Sequence, residues 1–444
     1  MVANIAEQSD LKEEPLSGTK CIAHNDSEIG GPSKMIDYQH LFAAALGLTP
    51  PWKVLDIRFS EPQNRLDIWV GFSEGNTFDC PACGQDGMSV YDTKEKTWRH
   101  LNFFQYRTYL HARFPRIECS KGCGVKQVKA PWARPGSDFT LLFESLIMML
   151  AQDMPVKAIA ELTGEHDTRL WRILHHYVKE ARAKMDYSKI QQVGIDETAA
   201  KRGHDYITLF VDLDTARLLF ATPGKGKETV NTFVSDLRDH KGNPNNIGSV
   251  CCDLSPSFIA GVKSFLPKAQ MVFDRFHIMK IINAAVDEVR RYESRENELL
   301  KKTRYIWLKN PQNLTAKQRK KLDSLKNEHI DTVRAYNLKL SFQGFFDQPG
   351  LAAGEEYLKR WFYWATHSRL VPMVNAAYTV KEHWDGILNW FKSRISNGVL
   401  EGINSLIQAA KARARGYRNN KTLITMSYII SSRLNFNLPS LCPC

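Results

Sequence analysis

Residues 193–213 have the sequence VGIDETAAKRGHDYITLFVDL. Its two apolar runs flank a polar, basic connection, a pattern that predicts two β-strands. The first run ends in Asp196 and Glu197 and the second in Asp212. Because charge is costly at a buried position, these carboxylates are either solvated strand ends or ligands of a catalytic metal. Side chains alternate along a strand, so only one of Asp196 and Glu197 faces such a site.

Two later strand signals also end in a carboxylate. IGSVCCDLSPSF carries Asp253 and passes into a helix that begins with proline, and AQMVFDRFHIMK carries Asp274 and His277. Ligands collect at the carboxyl edge of open sheets, so Asp253 is a second candidate ligand. Asp274 and His277 are candidates to position water or a phosphate, and a structural role is the alternative.

A third acid is expected from a helix near the end of the chain. In SNGVLEGINSLIQAAKARARGYRNN, Glu401 opens a helix whose same face carries side chains suited to DNA phosphates. The cations of this segment that we expect to contact the DNA backbone are Lys411, Arg413, Arg415 and Arg418. Singly, each acid is more simply a helix cap or strand end, but three acids at element ends in one basic chain favour a catalytic site.

Four cysteines occur as two close pairs. CPACG supplies Cys80 and Cys83, and CSKGCG supplies Cys119 and Cys123. Four thiolates joined by a hairpin suit tetrahedral Zn²⁺, and the glycine after each second cysteine suits a turn with positive φ. His100 or His111 could replace one cysteine, and two unrelated buried pairs are the alternative.

The segment MPVKAIAELTGEHDTRLWRILHHYVKEAR, residues 154–182, has the spacing of a helix-turn-helix. The turn lies around Gly164, and Asp167 or Thr168 is expected to cap the second helix. An ordinary helical hairpin is the alternative. As a recognition helix, it would present to DNA the cations Arg169, Arg172, Lys179 and Arg182.

The bulk composition favours a polyanionic partner. Sixty Lys and Arg against 48 Asp and Glu give a formal charge of +12, as expected of a protein that binds nucleic acid. The sequence lacks a secretory signal pattern and any apolar run of membrane-spanning length. We therefore expect a cytoplasmic protein with reduced cysteines and no membrane partner.

Taken together, these motifs resemble the DDE transposases of bacterial insertion sequences, and specifically the ISL3 family. The resemblance runs from about Tyr38 to Leu434 and rests on the order and wording of the segments quoted above. It implies Asp196, Asp253 and Glu401 as the catalytic triad, binding two Mg²⁺ or Mn²⁺ ions. It also implies an RNase H-like domain interrupted by helices, since 148 positions separate Asp253 from Glu401.

The expected architecture is a multi-domain α+β protein in six parts. These are a disordered tail (1–35), a zinc-binding β module (36–135), a helix-turn-helix domain (136–186), the first part of an RNase H-like catalytic domain (187–279), an all-α insertion (280–395) and the C-terminal part of the catalytic domain (396–444).

The resemblance implies metal-dependent cleavage and strand transfer at the terminal inverted repeats of an element. Double-stranded DNA is the partner, held in a homodimer or larger synaptic complex, and a bacterial, nucleoid-associated location follows. Two alternatives stay open: a transposase-derived DNA-binding regulator without catalysis, and an RNase H-like nuclease that does not join strands.

Overall fold

A computed structural model describes residues 37–441 except positions 202, 204, 327, 329 and 395–397. The predicted disordered tail, residues 1–35, lies outside the described residues. The strands are β1 (Lys53–Ser60), β2 (Arg65–Gly71), β3 (Val90–Arg99), β4 (Arg107–Cys119), β5 (Gly124–Gln127), β6 (Gln192–Ala199), β7 (Tyr206–Asp212), β8 (Arg217–Pro223), β9 (Ser249–Cys252) and β10 (Gln270–Phe273).

Most of the remaining chain is helical. The helices are α1 (Tyr38–Ala45), α2 (Leu141–Leu150), α3 (Val156–Thr163), α4 (Asp167–Arg182), α5 (Lys227–Asp239), α6 (Pro256–Phe265), α7 (Arg275–Glu293), α8 (Arg304–Leu308), α9 (Ala316–Leu325), α10 (Asp331–Gln343), α11 (Leu351–Thr366), α12 (Val371–Glu382), α13 (Trp384–Leu388), α14 (Trp390–Ser393), α15 (Gly398–Arg413) and α16 (Asn420–Ser431). None of these helices is long and apolar enough to cross a bilayer.

The first sheet has the strand order β1-β2-β4-β3, with β5 pairing to β4. The hairpin predicted between the cysteine pairs is confirmed, because β3 and β4 pair antiparallel, and β1 and β2 form a second antiparallel pair. An aromatic core holds the sheet together, with the Trp52 ring stacked on Phe114 at 5.2 Å. This core is separate from those of the rest of the chain.

The second sheet has the order β10-β9-β6-β7-β8. Strands β6, β7 and β8 are antiparallel neighbours, whereas β9 and β10 run parallel to β6. The prediction that the first strand ends at Asp196 and Glu197 is wrong, because β6 continues to Ala199 and Asp196 pairs with Leu209 of β7. The antiparallel partner β7 provides the hydrogen bonds that extend β6 beyond β9.

Helices cover both faces of this sheet. Helices α2–α4 share one core with α15, α16 and one face of β7 and β8. Helices α5 and α6, together with the helices that follow β10, build the core on the other face. The helix-turn-helix is therefore packed onto the sheet and does not form an independent core.

Between β10 and α15, the described residues form helices α7–α14 and short 3₁₀ turns. Lys339 of α10 is fully buried there, and its ammonium donates to the carbonyls of Trp307 and Leu308 at 2.9 and 2.7 Å. Burial lowers the pKa of Lys339 to about 8. Its hydrogen bonds join α10 to the carboxyl end of α8.

Candidate active site and nucleic-acid interface

Three parallel strands bring three acids to one edge of the second sheet. Gly194 of β6 lies opposite Cys251 of β9, and Cys252 lies opposite Phe273 of β10. Asp196 lies two positions after Gly194 on β6, and Asp253 and Asp274 directly follow the last residues of β9 and β10. The three acids therefore lie at the same edge of the sheet, and Asp253 is close enough for its charge to act on Asp196.

The environment of Asp196 is that of a crowded carboxylate. Burial raises its pKa most strongly, and the negative charge of Asp253 raises it further. The backbone N–H of Glu197 donates to Asp196 Oδ1 at 2.8 Å and opposes this shift. Burial, followed by the charge of Asp253, also raises the pKa of Glu197. The negative charge of Asp253 therefore acts on both acids of β6.

Asp274 and His277 form a hydrogen-bonded pair at this edge of the sheet. Asp274 caps α7 by accepting the backbone N–H of Phe276 at 3.1 Å, and its other oxygen lies 2.9 Å from His277 Nδ1. The hydrogen bond to Asp274 raises the pKa of His277, and the charges of Asp253 and Asp196 contribute. Both predicted positioning residues therefore lie within the electrostatic reach of the acids.

Glu401 lies on the neighbouring helix α15, and its side chain is exposed. It lines a cavity of about 490 Å³ together with Asp274, Asn310 and Gln343. Among the residues that the structure describes, only the four cysteines bring three or more potential metal-binding groups within 4.8 Å of one another. Asp196, Asp253 and Glu401 therefore do not form so tight a cluster, and Glu401 shares its cavity with Asp274.

Helix α15 is held against β6 by Asn404, one turn after Glu401. Asn404 Nδ2 donates to Asp196 Oδ2 at 3.1 Å and to the Glu197 carbonyl at 3.4 Å. A Cβ at Gly194 would lie 2.7 Å from Leu400, so this glycine allows the close approach of α15. Asn404 belongs to the helix face predicted to contact DNA phosphates, but in the structure its side chain contacts β6. Its i+3 spacing from Glu401 is the sequence signal that indicates a place beside the acids.

The four predicted zinc ligands come together in the first sheet. Cys80, Cys83, Cys119 and Cys123 have sulfurs within 4.8 Å of one another. Although burial opposes the shift, the backbone N–H groups of Lys121 and Cys123 lower the pKa of Cys119 to about 6, which favours the thiolate that a metal binds. Gly84 and Gly124 adopt φ of 72° and 73°, as the sequence predicted.

Neither histidine considered as a substitute ligand belongs to this cluster. His111 bonds Asp67 and stacks on Trp69 at 4.9 Å. His100 Nδ1 lies 2.9 Å from the Thr140 hydroxyl. Four sulfur ligands are the donor set that tetrahedral zinc prefers in structural sites.

Some cations of the predicted recognition helix α4 are exposed, and others form ion pairs within the protein. Arg172 and Lys179 are exposed. Arg182, however, has a side chain only 19% exposed and donates to both carboxylate oxygens of Asp236 at 2.8 Å. The predicted caps also differ, since His166 occupies the N-cap position and Asp167 is the first residue of the helix.

Arg169 is likewise turned toward the protein. Its guanidinium bonds Glu165 and lies 4.3 Å from the centre of the Phe139 ring. Helical spacing placed Arg169 and Arg182 on the DNA side because the neighbouring elements were not visible in the sequence. Their ion pairs attach α4 to the turn before it and to α5.

Most of the predicted cations after Glu401 surround one groove. Lys411, Arg415 and Arg418 line a groove of about 670 Å³. Tyr417 and Lys201, two residues without a predicted role, line it as well. Arg413 lies elsewhere and donates to the Asp153 carbonyl at 2.6 Å. The groove is next to the carboxyl end of β6 and suits an anionic backbone.

Three family models match the chain in an order that follows the structure. A model of the zinc finger of transposases IS204/IS1001/IS1096/IS1165 matches residues 77–123, and one of the helix-turn-helix domain of transposase family ISL3 matches residues 128–178. The ISL3 transposase model with the DDE designation matches residues 193–427, more than half of the chain.

Two transposases from bacteria illustrate the similarity over nearly the whole length. The chain is 28% identical over 360 residues to the transposase for insertion sequence element IS1001 of Bordetella parapertussis, covering 77% of this chain and 86% of that protein. It is 27% identical over 424 residues to the transposase for IS1557 of Mycobacterium tuberculosis, covering 88% and 94%. The chain therefore belongs to the ISL3 family of DDE transposases.

Proposed function

We propose that this transposase cleaves DNA at the ends of its insertion sequence and joins the freed 3′ ends to target DNA, using Asp196, Asp253 and Glu401 as its catalytic acids. The observation that carries the proposal is the parallel pairing of β6 with β9, which brings Asp196 and Asp253 to one edge of the sheet, with Asn404 joining Asp196 to the helix that carries Glu401. No covalent protein–DNA intermediate is required.

The strand order supports an RNase H-like catalytic domain. Three antiparallel strands, β6–β8, continue into parallel β9 and β10 on the β6 side. We assign this domain to residues 187–279 and 396–444, with residues 280–395 as an all-α insertion. Packing of α15 against β6 gives the reason for the split, because the final helix must return to the first strand to complete the site.

The acids fit a pair of hard divalent cations. Asp196 and Asp253 offer oxygen ligands, and burial, with the charge of Asp253 contributing, raises the pKa of Asp196, so a cation would favour the ionised carboxylate. Asp196, Asp253 and Glu401 would hold the Mg²⁺ or Mn²⁺ ions. When bound, such ions neutralise the scissile phosphate, activate the attacking oxygen and stabilise the leaving one.

The chain's own residues orient the reactants. Asn404 holds the Asp196 carboxylate through Oδ2, and His277, whose Nδ1 lies against Asp274, would use its other ring nitrogen to position water or a phosphate beside the acids. Lys411, Arg415 and Arg418 would neutralise the backbone near the cut. The zinc module and α4 would read the terminal inverted repeats, and two ends would be held in a dimer or larger synaptic complex.

The test uses purified protein, paired end DNA, a target plasmid and Mg²⁺. We expect cleaved ends and joined products from the wild type, and neither from Asp196→Asn, Asp253→Asn or Glu401→Gln, each with end binding retained. Asp239→Asn removes an exposed carboxylate from α5 and should retain activity. Cleavage without joining would favour the nuclease, and end binding without any cleavage by the wild type would favour the regulator.

A further inference from the structure

We propose that the zinc-binding sheet and the helix-turn-helix form one rigid DNA-reading unit, in which Arg99 fixes the spacing between two recognition sites on the end DNA. The inference rests on the proposed binding of element ends. It adds that the two modules contact a single composite site and are not independent domains on a flexible tether.

Arg99 reaches from the sheet into the turn of the helix-turn-helix. It is the last residue of β3, and its side chain is 1% exposed. Its Nε lies 3.6 Å from Glu165 Oε1, and its Nη2 donates to the Thr163 carbonyl at 3.4 Å. Thr163 ends α3 and Glu165 lies in the following turn, so one guanidinium from the sheet contacts the point that orients α4.

Glu165 also connects Arg99 to the recognition helix α4. The same carboxylate that faces Arg99 also bonds Arg169 of α4, and it is itself only 6% exposed. An ion pair removed from water is costly to break by removing one partner. The turn, α4 and the end of β3 are therefore held together by one buried charge network.

The backbone of β3 adds a second connection. Arg99 N donates to the Asp138 carbonyl at 2.8 Å, and Thr140 N donates to the Arg99 carbonyl at 3.0 Å. Thr140 also caps α2, since its hydroxyl accepts the Phe143 N–H at 3.3 Å. The first helix of the domain thus begins directly on the edge of the sheet.

The segment between the two modules is anchored at both ends. Trp132 packs in the aromatic core of the sheet, 4.9 Å from Trp52 and 5.5 Å from Trp98 between ring centres. Two residues later, Arg134 Nε donates to the buried carboxylate of Glu144 in α2 at 3.0 Å. A flexible linker leaves two modules free to reorient, whereas this one spans from one core to the other.

The turn itself fits closely against the sheet. Gly164 has a φ of +68°, and a Cβ there would lie 3.2 Å from the guanidinium carbon of Arg107 at the start of β4. A side chain at this position would strain the turn, and it would require the Arg107 guanidinium to shift. Gly164 therefore serves both the turn and the junction.

A rigid unit has a direct consequence for the DNA. One base pair adds about 3.4 Å and ten to eleven pairs make about one turn. Inserting five base pairs between the two protected segments increases their distance by about 17 Å and places them on opposite sides of the DNA helix. Inserting ten base pairs returns them to the same side but leaves them further apart. Only a flexibly tethered pair of modules would tolerate the ten-pair insertion.

The experiment measures the affinity of the full chain for end DNA after footprinting has located the two protected segments. We expect both the five-pair and the ten-pair insertion to weaken binding by more than about tenfold. A loss of less than about twofold with the ten-pair insertion would overturn the rigid unit. Failure to bind the native end would overturn the proposed function and this inference with it, whereas tolerance of the insertions would overturn this inference alone.

Two variants assign the rigidity to the Arg99 network. Glu165→Gln keeps the shape of the side chain but removes its charge. Arg99→Lys keeps the charge but removes the branched guanidinium group. Glu161→Gln, on the exposed side of α3, is the matched control. With zinc content and melting temperature as folding checks, we expect the insertion penalty to fall at least about threefold in the first two variants only. An unchanged penalty in both would overturn the role of Arg99.

Discussion

Asn404 Nδ2 donates a hydrogen bond to Asp196 Oδ2 at 3.1 Å, across 208 positions of sequence. The bond joins the strand that carries one proposed catalytic acid, Asp196, to the helix that carries another, Glu401. Because Asp196 also accepts the Glu197 N–H at 2.8 Å, both of its oxygens have fixed partners. The orientation of this carboxylate is therefore set before any cation or DNA is present.

Asn404→Ala should lower strand cleavage by about 10- to 100-fold, the usual effect of removing a group that orients a metal ligand. The loss should be partly recovered at high Mg²⁺ or Mn²⁺ concentration, since the ligands themselves remain. Ser405→Ala, on the exposed neighbouring position of α15, is the control. Equal cleavage rates for the wild type and Asn404→Ala would remove Asn404 from the site.

Asp196→Asn should stabilise the protein in the absence of Mg²⁺ and Mn²⁺, and it should abolish cleavage. Burial, with the nearby charge of Asp253, raises the pKa of Asp196 above its ordinary value, so the ionised carboxylate costs the folded state stability at neutral pH. As the pH falls through the raised pKa, the folded state takes up its proton first and this cost is removed. The advantage of Asp196→Asn should therefore be largest at neutral pH and shrink in acid.

The measurement is the melting temperature from pH 8 to pH 4 without added Mg²⁺ or Mn²⁺, so that the structural zinc stays in place. Asp239→Asn makes the same charge change at an exposed position of α5 and controls for net charge. An advantage of Asp196→Asn that grows as the pH falls would contradict the assigned direction of the pKa shift.

Cys80→Ser should reduce bound zinc from about one ion per chain to nearly none, because a structural zinc site needs all four of its ligands. The first sheet should lose its fold and end-DNA binding should fail, while the second sheet keeps its own cores. Zinc content and limited proteolysis report the two effects separately. Ser120→Ala, beside Cys119 in the same turn, should retain zinc; unchanged zinc in Cys80→Ser would remove that cysteine from the site.

Arg172 and Arg182 should differ although both lie on α4. Arg172→Ala should weaken DNA binding and reduce the slope of log affinity against log salt by about one, with no change in melting temperature. Arg182→Ala should cost about 3 kcal/mol of stability, because it removes the guanidinium from the largely buried carboxylate of Asp236. Its salt slope should match the wild type. A reduced slope with unchanged stability for Arg182→Ala would place its guanidinium on DNA after all.

Local chemistry explains what could be read from the sequence. The spacing of the cysteines and the glycine after each pair follows from the geometry of a sulfur-binding turn, and the four sulfurs do converge. The hairpins of the first sheet and the turn at Gly164 depend on alternation and on positive φ, which are properties of short segments. The family match shows that the order of the motifs was itself informative.

The kinds of module, their order and the candidate acids thus follow from short stretches of sequence. Three contacts do not: β6 passes beyond Asp196, Asn404 bonds this carboxylate, and Arg182 faces Asp236. Periodicity specifies which side of an element is apolar, but not which other element covers it. Those contacts depend on residues far apart in the chain, and they are fixed only when the sheet and helices pack together.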